Sequence, residues 1–524
     1  MQRLLGRAEA LDQVRTRRKP WDLAVIGGGA TGVGIALDAA ARGYEVVLFE
    51  QSDFGKGTSS RSTKLVHGGV RYLERGDVPL VLEALRERGI MRQNAPHLVS
   101  DLAFVVPTYA WWEGPFYGAG LRVYNLLAGR YGFGKSRNLS KEQTLEYLPT
   151  IRHEGLRGGV LYYDGQFDDA RFLVALVQTA CEQGAVLLNY CRVVALRRNG
   201  DGVINGLLAR DSETGEELPV EAKVVVNAAG PFVDCVRRLA EPEVSPLVAP
   251  SQGVHLVFNR SFLPGNVAIM VPHTSDGRVM FAIPWQDHTL IGTTDTAIPK
   301  ATLEPHPLEV EIDFILRTAG LYLHKPPRRE DVLSMFAGIR PLVRSGNGKN
   351  TAALSRDHTI HVDQNGLLTI TGGKWTTYRS MAEDCVNHAA MLGGLEERPC
   401  PTRTLNLHGY SPAPQRYGWL APYGSDAPAL ERLMKSSPQL SEVLHPALPY
   451  RAVQVVWAAR YEFARTVEDV LSRRLRATFL DVRAAMAMAP KVAALLAAEL
   501  GRDDHWQRAQ VEEFTALART YLPS

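Results

Sequence analysis

Between Asp22 and Glu50 the apolar positions change period twice. "DLAVIGGG" is a continuous apolar run that breaks at glycines, "GVGIALDAAARG" is an alanine-rich stretch closed by Gly43, and "YEVVLFE" is a second apolar run. Unbroken runs of this kind suit parallel strands covered on both faces, and the alanine-rich stretch suits a helix, so together they predict one β-α-β unit. "KVVVNAAG" (Lys223 to Gly230) repeats the buried-strand texture. From His255 to Asp295 the pattern shortens and alternates through "VHLVF", "VMFAIPW" and "TLIGTTD", which predicts an antiparallel sheet. "GLLTITGGK" returns to the parallel texture with a helix after it. Beyond "ERPCPTRTLNLHGYSPAP" the pattern is helical, with "EDVLSRRLRATFLD" and "VAALLAAELG" at amphipathic spacing. No repeat at a fixed period and no low-complexity tract interrupts this order.

These elements predict an α/β protein: a Rossmann-like dinucleotide-binding domain, an inserted antiparallel-sheet substrate domain and a C-terminal helical domain. The expected boundaries are 21–108, 155–250 and 336–395 for the discontinuous dinucleotide domain, 109–154 and 251–335 for the substrate or cap domain, and 396–524 for the helical domain. Residues 1–20 carry Arg3, Arg7, Arg15, Arg17, Arg18 and Lys19 against Glu9 and Asp12. They read as a basic N-terminal tail, with a short helix drawn to anionic lipid as the second reading.

Composition narrows the class. A chain of 524 residues, 45% hydrophobic and 22% charged, is globular and long enough for two or three domains. A net charge of +3 gives nucleic-acid binding no global electrostatic support. Five cysteines, an odd number with no CxxC among them, point to reduced thiols in a cytoplasmic setting. No segment is apolar and long enough to span a bilayer, and the N-terminus lacks a signal-peptide core.

Gly27, Gly29 and Gly32 fit the G-x-G-x-x-G turn, with Gly28, Ala30 and Thr31 inside it. The pattern gains specificity from its place after a strand, at the start of a helix, with Glu50 ending the next strand. Glycines let backbone N–H groups approach a pyrophosphate at a helix N-terminus, and Glu50 would accept the ribose hydroxyls while repelling a 2′-phosphate. NAD and FAD both fit such a turn. Downstream, "GGKWTTYRSMAED" turns the chain on two glycines, and Thr376 or Thr377 is expected to cap a helix running through Met381 and Cys385. "YAWWEGPFYGAGLRVYNLLAGRYGFG" (Tyr109 to Gly134), flanked by Arg122 and Arg130, is rich in aromatics. It suits either a membrane interface or the wall of a substrate cavity.

The stretch "GTSSRSTKLVHGGVRYLE" (Gly57 to Glu74), together with "GTTD" (Gly292 to Asp295), "AGIRPLV" (Ala337 to Val343), "GGKWTTYR" (Gly372 to Arg379) and "TVEDVLSRR" (Thr466 to Arg474), closely resembles the FAD-dependent glycerol-3-phosphate dehydrogenase family. The blocks run from the first strand to the C-terminal helices, so the resemblance covers nearly the whole chain. It implies non-covalent FAD held by the glycine turn, Glu50, Thr58, Ser59, Ser60, Ser62, Lys64, His67, Gly68, Val193, Ala229, Gly230, Asp295, Arg340, Gly373, Lys374, Trp375, Thr376 and Thr377. "NAAG" (Asn227 to Gly230) departs from the Ala-Thr-Gly usual in the family, which removes a hydroxyl near the cofactor. No D-x-[DN]-x-[DN]-G loop is present, so the calcium regulation of mitochondrial members is not expected, and no metal is implied.

The resemblance also implies the chemistry. Arg71, Tyr72, Arg340 and Lys374, with Arg356 as a further candidate, would line a substrate cavity facing the flavin, where guanidinium forks match a phosphate dianion. His67 and His255 are the base candidates for oxidation of a secondary alcohol, and Lys374 is an alternative; Arg71, Tyr72 and Arg340 complete the expected catalytic set. The implied reaction is oxidation of sn-glycerol 3-phosphate to dihydroxyacetone phosphate, with electrons passed to a membrane quinone. The expected setting is the cytoplasmic inner face of the cell membrane, peripherally bound, with a homodimer as a possible assembly. Rival readings are an oxidase that uses oxygen, although no extra internal insertion stands out, and an amine-oxidising flavoenzyme, which would need a carboxylate clamp in place of a phosphate site.

Overall fold

The computed structural model describes residues 6–70, 76–272, 274, 277–344 and 357–523. Two sheets organise them. In the first, Trp21–Ile26 lies parallel between Glu217–Asn227 and Val46–Phe49, with Leu368–Gly372 and Val186–Leu188 continuing the parallel order on either side. The unbroken apolar runs follow from burial on both faces. Helices Ala30–Ala41, Asp169–Glu182 and Tyr378–Leu392 cover one face. Their approach is close: a side chain at Gly34 would start 3.0 Å from the Tyr378 ring, which explains the run of small residues in the first helix. Strand Glu217–Asn227 changes partner midway, pairing antiparallel with Ile204–Asp211 before it joins Trp21–Ile26.

The N-terminus corrects the expected tail. Arg7–Thr16 is a helix that buries Ala10, Leu11 and Val14 against the open face of the first sheet. Arg7 pairs with Asp211 at 2.7 Å, Arg15 with Glu216, and Arg17 with Glu45 at 2.6 Å while lying 3.9 Å over the Trp21 ring. Arg7, Arg15 and Arg17 are thus paired with carboxylates of the same fold, and Arg18 and Lys19 are exposed.

The second sheet is built around Val248–Asn259, antiparallel to both Val332–Val343 and His288–Gly292, with Met280–Trp285 and Val267–Val271 beyond. Val99–Thr108 then adds parallel to Val267–Val271, Gly158–Phe167 and Leu65–Val66 follow, and the short strands Arg137–Ser140 and Thr296–Ala297 complete the sheet. The alternating segment from His255 to Asp295 is thus only its middle. Several flanking strands, Val99–Thr108, Gly158–Phe167 and Val332–Val343 among them, lie across the boundaries drawn from sequence; helix Glu309–Tyr322 packs on one side of the sheet and the C-terminal helices on the other.

"EDVLSRRLRATFLD" is not an amphipathic surface helix. Asp469–Arg474 is a single wide π-type turn, Arg476 breaks the helix at φ +68°, and Ala477–Leu480 resumes it, all buried. The alternating charges have remote partners. Arg474 makes a bidentate pair with Asp53 at 2.6 and 2.9 Å, and Arg473 donates to the same carboxylate as well as to Asp469, one turn away, at 2.7 Å. Burial would raise the Asp53 carboxyl, but Arg474 and Arg473 outweigh it and bring the pKa to about 2. "VAALLAAELG" lies in the helix Val482–Leu500 as its spacing indicates. All five cysteines are free thiols.

Candidate functional site

A cavity of about 680 Å³ opens at the carboxyl ends of the first sheet's strands. Its floor is the glycine turn. Gly27 sits at φ +111°, and a Cβ there would lie 2.7 Å from the Ala228 carbonyl oxygen; one at Gly28 would lie 2.7 Å from Glu50 Cβ, and one at Gly32 would collide with the Gly27 carbonyl. Only glycine lets the turn fold this tightly against the N-terminus of Ala30–Ala41, whose first N–H groups lack partners within the helix. The Glu50 carboxylate accepts from Gly28 N at 2.6 Å and Ser52 N at 2.9 Å. Burial raises its pKa, and these two amides pull the other way. A pyrophosphate at the helix terminus and a ribose beside Glu50 suit this donor and acceptor set.

The loop after Gly57 forms one wall. Thr58 and Ser59 face the cavity; the Thr58 hydroxyl donates to Ile339 O at 2.6 Å, and the Ser59 hydroxyl accepts from Ala30 N at 2.9 Å. Ser60, Ser62 and Lys64 are turned away from it. Lys64 is wholly buried and donates to Asp169 at 2.7 Å and to the Ser60 carbonyl at 2.9 Å, which also accepts from Arg476 at 2.8 Å. Ser62 bonds the same Asp169 carboxylate at 2.7 Å. Burial lowers the Lys64 pKa to about 7 despite Asp169. These three residues fix the loop's shape from behind, where the sequence suggested direct contact.

Val193, Ala229, Gly230, Gly373, Lys374 and Trp375 also line the large cavity, with Met381 from the helix after the second glycine turn, and with Lys56 and Arg192, which no motif marked. Gly372 and Gly373 turn at φ +81° and +72°, and the Trp375 indole N–H donates to Ser59 O at 2.9 Å, tying the two walls together. Thr376 and Thr377 lie buried beneath the turn. Neither caps Tyr378–Leu392 with its side chain; the Thr377 hydroxyl donates back to Lys374 O at 3.2 Å.

A second cavity of about 210 Å³ is lined by Thr63, His67, Asp164, Arg278, Thr293, Asp295 and Arg340 among others. Arg340 donates to the Thr293 hydroxyl at 2.9 Å and lies 3.4 Å from Asp295. A Cβ at Gly253 would overlap that guanidinium, so the glycine makes its room. Asp295, expected on the cofactor, lines this smaller cavity and accepts a short hydrogen bond from Ser251. Gly68 lines neither cavity.

His255 also lines neither cavity. It is buried, stacked on Phe336 with ring centroids 5.0 Å apart, and its Nε2 lies 2.9 Å from the Thr63 hydroxyl. Burial, then the charges of Lys64 and Arg340, hold its pKa well below the ordinary value, so it is neutral and stands behind Thr63. Arg71, Tyr72 and Arg356 lie outside the described residues. Arg278, Thr63 and Thr293 were missed from sequence, since each stands on a strand edge or hairpin whose direction no local pattern reveals.

Helix Glu113–Ala128 divides its aromatics by face. Tyr117, Leu121 and Tyr124 point inward, while Trp111, Trp112, Phe116, Val123 and Leu126 are exposed, Trp111 at 77% and Leu126 at 81%, with Arg122 and Arg130 beside them. Among the described residues no helix is long and apolar enough to cross a membrane, and no cluster of three His, Cys, Asp or Glu could hold a metal.

Comparison with known proteins bears on this site as a whole. Residues 22–379 match the FAD dependent oxidoreductase family, and 369–507 match the C-terminal domain of alpha-glycerophosphate oxidase. The chain is 42% identical to the probable mitochondrial glycerol-3-phosphate dehydrogenase of Caenorhabditis elegans, over 97% of this chain and 74% of that protein. It is 41% identical to the human mitochondrial glycerol-3-phosphate dehydrogenase, over 96% and 73%. The glycerol-3-phosphate dehydrogenase of Bacillus halodurans, solved with FAD, superposes with a TM-score of 0.81 at 30% identity, covering 99% of this chain and 98% of that one.

Proposed function

This chain belongs to the FAD-dependent glycerol-3-phosphate dehydrogenase family, and from that premise we propose that it oxidises sn-glycerol 3-phosphate at C2 to dihydroxyacetone phosphate and delivers the electrons to a membrane quinone. FAD is its cofactor. The observation that carries the reading is the pairing of the two cavities. The large one has the glycine turn, helix terminus and carboxylate that FAD requires; the small one, bounded by Arg340 and Arg278 with His67, has the size and charge for a phosphorylated triol. Bound FAD supplies a two-electron acceptor for the C2 hydride.

The remaining work falls to side chains. His67 takes the C2 hydroxyl proton, for which a neutral imidazole is suited near pH 7. Arg340, preset by Thr293 and Asp295, and Arg278 hold the phosphate, so that binding energy orients C2. Lys374, on the glycine turn of the large cavity, would place a cation beside the flavin, which gains negative charge on accepting the hydride. Thr63 and the buried neutral His255 support the cavity floor. Docking through the exposed aromatic face of Glu113–Ala128 would bring the enzyme to the bilayer that contains the quinone.

The test is anaerobic. Glycerol 3-phosphate should bleach the flavin absorbance of the holoenzyme, and a soluble quinone should restore it faster than air does. Absence of bleaching would remove the substrate assignment, and faster recovery in air would make the enzyme an oxidase.

A further inference from the structure

Strand Leu65–Val66 pairs antiparallel with Gly158–Phe167 in the register Leu65↔Gln166 and Val66↔Gly165, and there the pairing ends. One further step would set His67 opposite Asp164. The chain instead leaves the sheet at His67–Gly68, and a side chain takes over the backbone bond. Gly68 N donates to the Tyr124 hydroxyl at 2.8 Å, and that hydroxyl donates to Asp164 Oδ2 at 2.8 Å. Asp164 Oδ1 accepts a short bond from Arg88, whose guanidinium also reaches Tyr131 O at 3.3 Å and lies 4.3 Å over the Phe133 ring. All three side chains are at most 2% exposed, and they come from three separate elements, Val78–Asn94, Glu113–Ala128 and Gly158–Phe167.

We propose that Tyr124, fixed by Asp164 and Arg88, is the positioning residue that sets the His67–Gly68 backbone and thereby aims His67 into the substrate cavity. This rests on the reading of His67 as the base. The chemistry of the chain is directional. Arg88 anchors the carboxylate, the carboxylate accepts the phenol's O–H hydrogen bond, and the phenol oxygen's lone pair is then directed to accept from Gly68 N. Burial, reinforced by Asp164, raises the Tyr124 pKa well above its ordinary value, so the phenol keeps the proton this order requires. Space enforces the same contact: a Cβ at Gly68 would lie 2.6 Å from the Tyr124 oxygen and from Leu85 Cδ2, so only glycine lets the amide reach the phenol. Without the phenol oxygen, the loop that carries His67 loses this backbone tether just beyond the end of the strand.

The experiment is a double-mutant cycle on FAD-loaded enzyme with Tyr124→Phe and His67→Ala. Tyr124→Phe keeps the ring and removes both bonds, and it should lower kcat for glycerol 3-phosphate about tenfold to a hundredfold, with KM, FAD content and the flavin spectrum little changed. In the His67→Ala background the same substitution should cost nothing further, since the residue it aims is gone. Additive losses, or an unchanged kcat in Tyr124→Phe, would overturn the proposal while leaving His67 as the base. An unimpaired His67→Ala enzyme would overturn both readings at once. Should Tyr124→Phe fail to fold, Gly68→Ala, whose Cβ would displace the phenol oxygen while Gly68 itself lines neither cavity, runs the same cycle with the same outcomes.

Discussion

Arg340→Ala is the most informative single change. The guanidinium is held in place by Thr293 at 2.9 Å and by Asp295 at 3.4 Å, so a phosphate bound there, as proposed, would meet a preset fork and spend little on ordering it. A charged hydrogen bond contributes roughly 1.5–3 kcal/mol, equivalent to about a tenfold to 150-fold effect on rate. Two features move the expectation to the lower part of that range. The side chain remains 26% exposed, so water screens it, and Asp295 already neutralises part of its charge. The kcat/KM for glycerol 3-phosphate should therefore fall about tenfold to fiftyfold, while Arg340→Lys recovers part of the loss because a point charge lacks the fork. Free glycerol is the control. Its poor turnover should hardly change, since it has no phosphate to lose. Equal slowing of both substrates would assign Arg340 to the flavin or to proton transfer, and an unaffected rate with glycerol 3-phosphate would move the phosphate site elsewhere.

Glu50→Ala removes the acceptor for Gly28 N, Ser52 N and the cofactor ribose together, and should weaken FAD at least about tenfold, read as apo-protein at limiting cofactor. His408 joins helix Asp169–Glu182 to the segment ending at Asp426; burial would lower its pKa, but bonds to Asp426 at 2.7 Å and Glu182 at 2.6 Å lift it to about 9. A folded pKa raised above the unfolded value of about 6.5 gives a stabilisation that is complete below that pH and fades as pH climbs through 9, up to about 3 kcal/mol. Melting temperature should fall over that window, and His408→Gln should flatten the slope. If the exposed aromatic face docks on membrane as proposed, Trp112→Ser, Phe116→Ser and Leu126→Ser together should lower binding to anionic vesicles at least about a hundredfold, at roughly 1.5–3 kcal/mol per buried apolar side chain; unchanged co-sedimentation would refute docking through this face.

What the sequence determined by itself is whatever depends on local backbone geometry. The glycine turn, the helix it opens and Glu50 are encoded within one β-α-β unit, because Cβ-free positions and a strand-end carboxylate fold the same way wherever they occur. The same holds for the turn at Gly372 and Gly373. What needed tertiary structure is whatever depends on a remote partner. Ser62 and Lys64 sit among hydroxyls that read as cofactor contacts, and only the distant Asp169 and Arg476 turn them inward. "LSRRLR" has amphipathic spacing, yet Asp53, more than 400 residues earlier, neutralises Arg473 and Arg474 in the interior, and Asp169 pairs with Arg476. His255 and His67 look alike as isolated histidines; the sheet register buries one against Phe336 and delivers the other to the cavity. Charge and hydroxyl patterns state what a side chain can do, but the long-range pairing of strands decides what it faces, because burial, dielectric and partner are all set across the sheet and never along it.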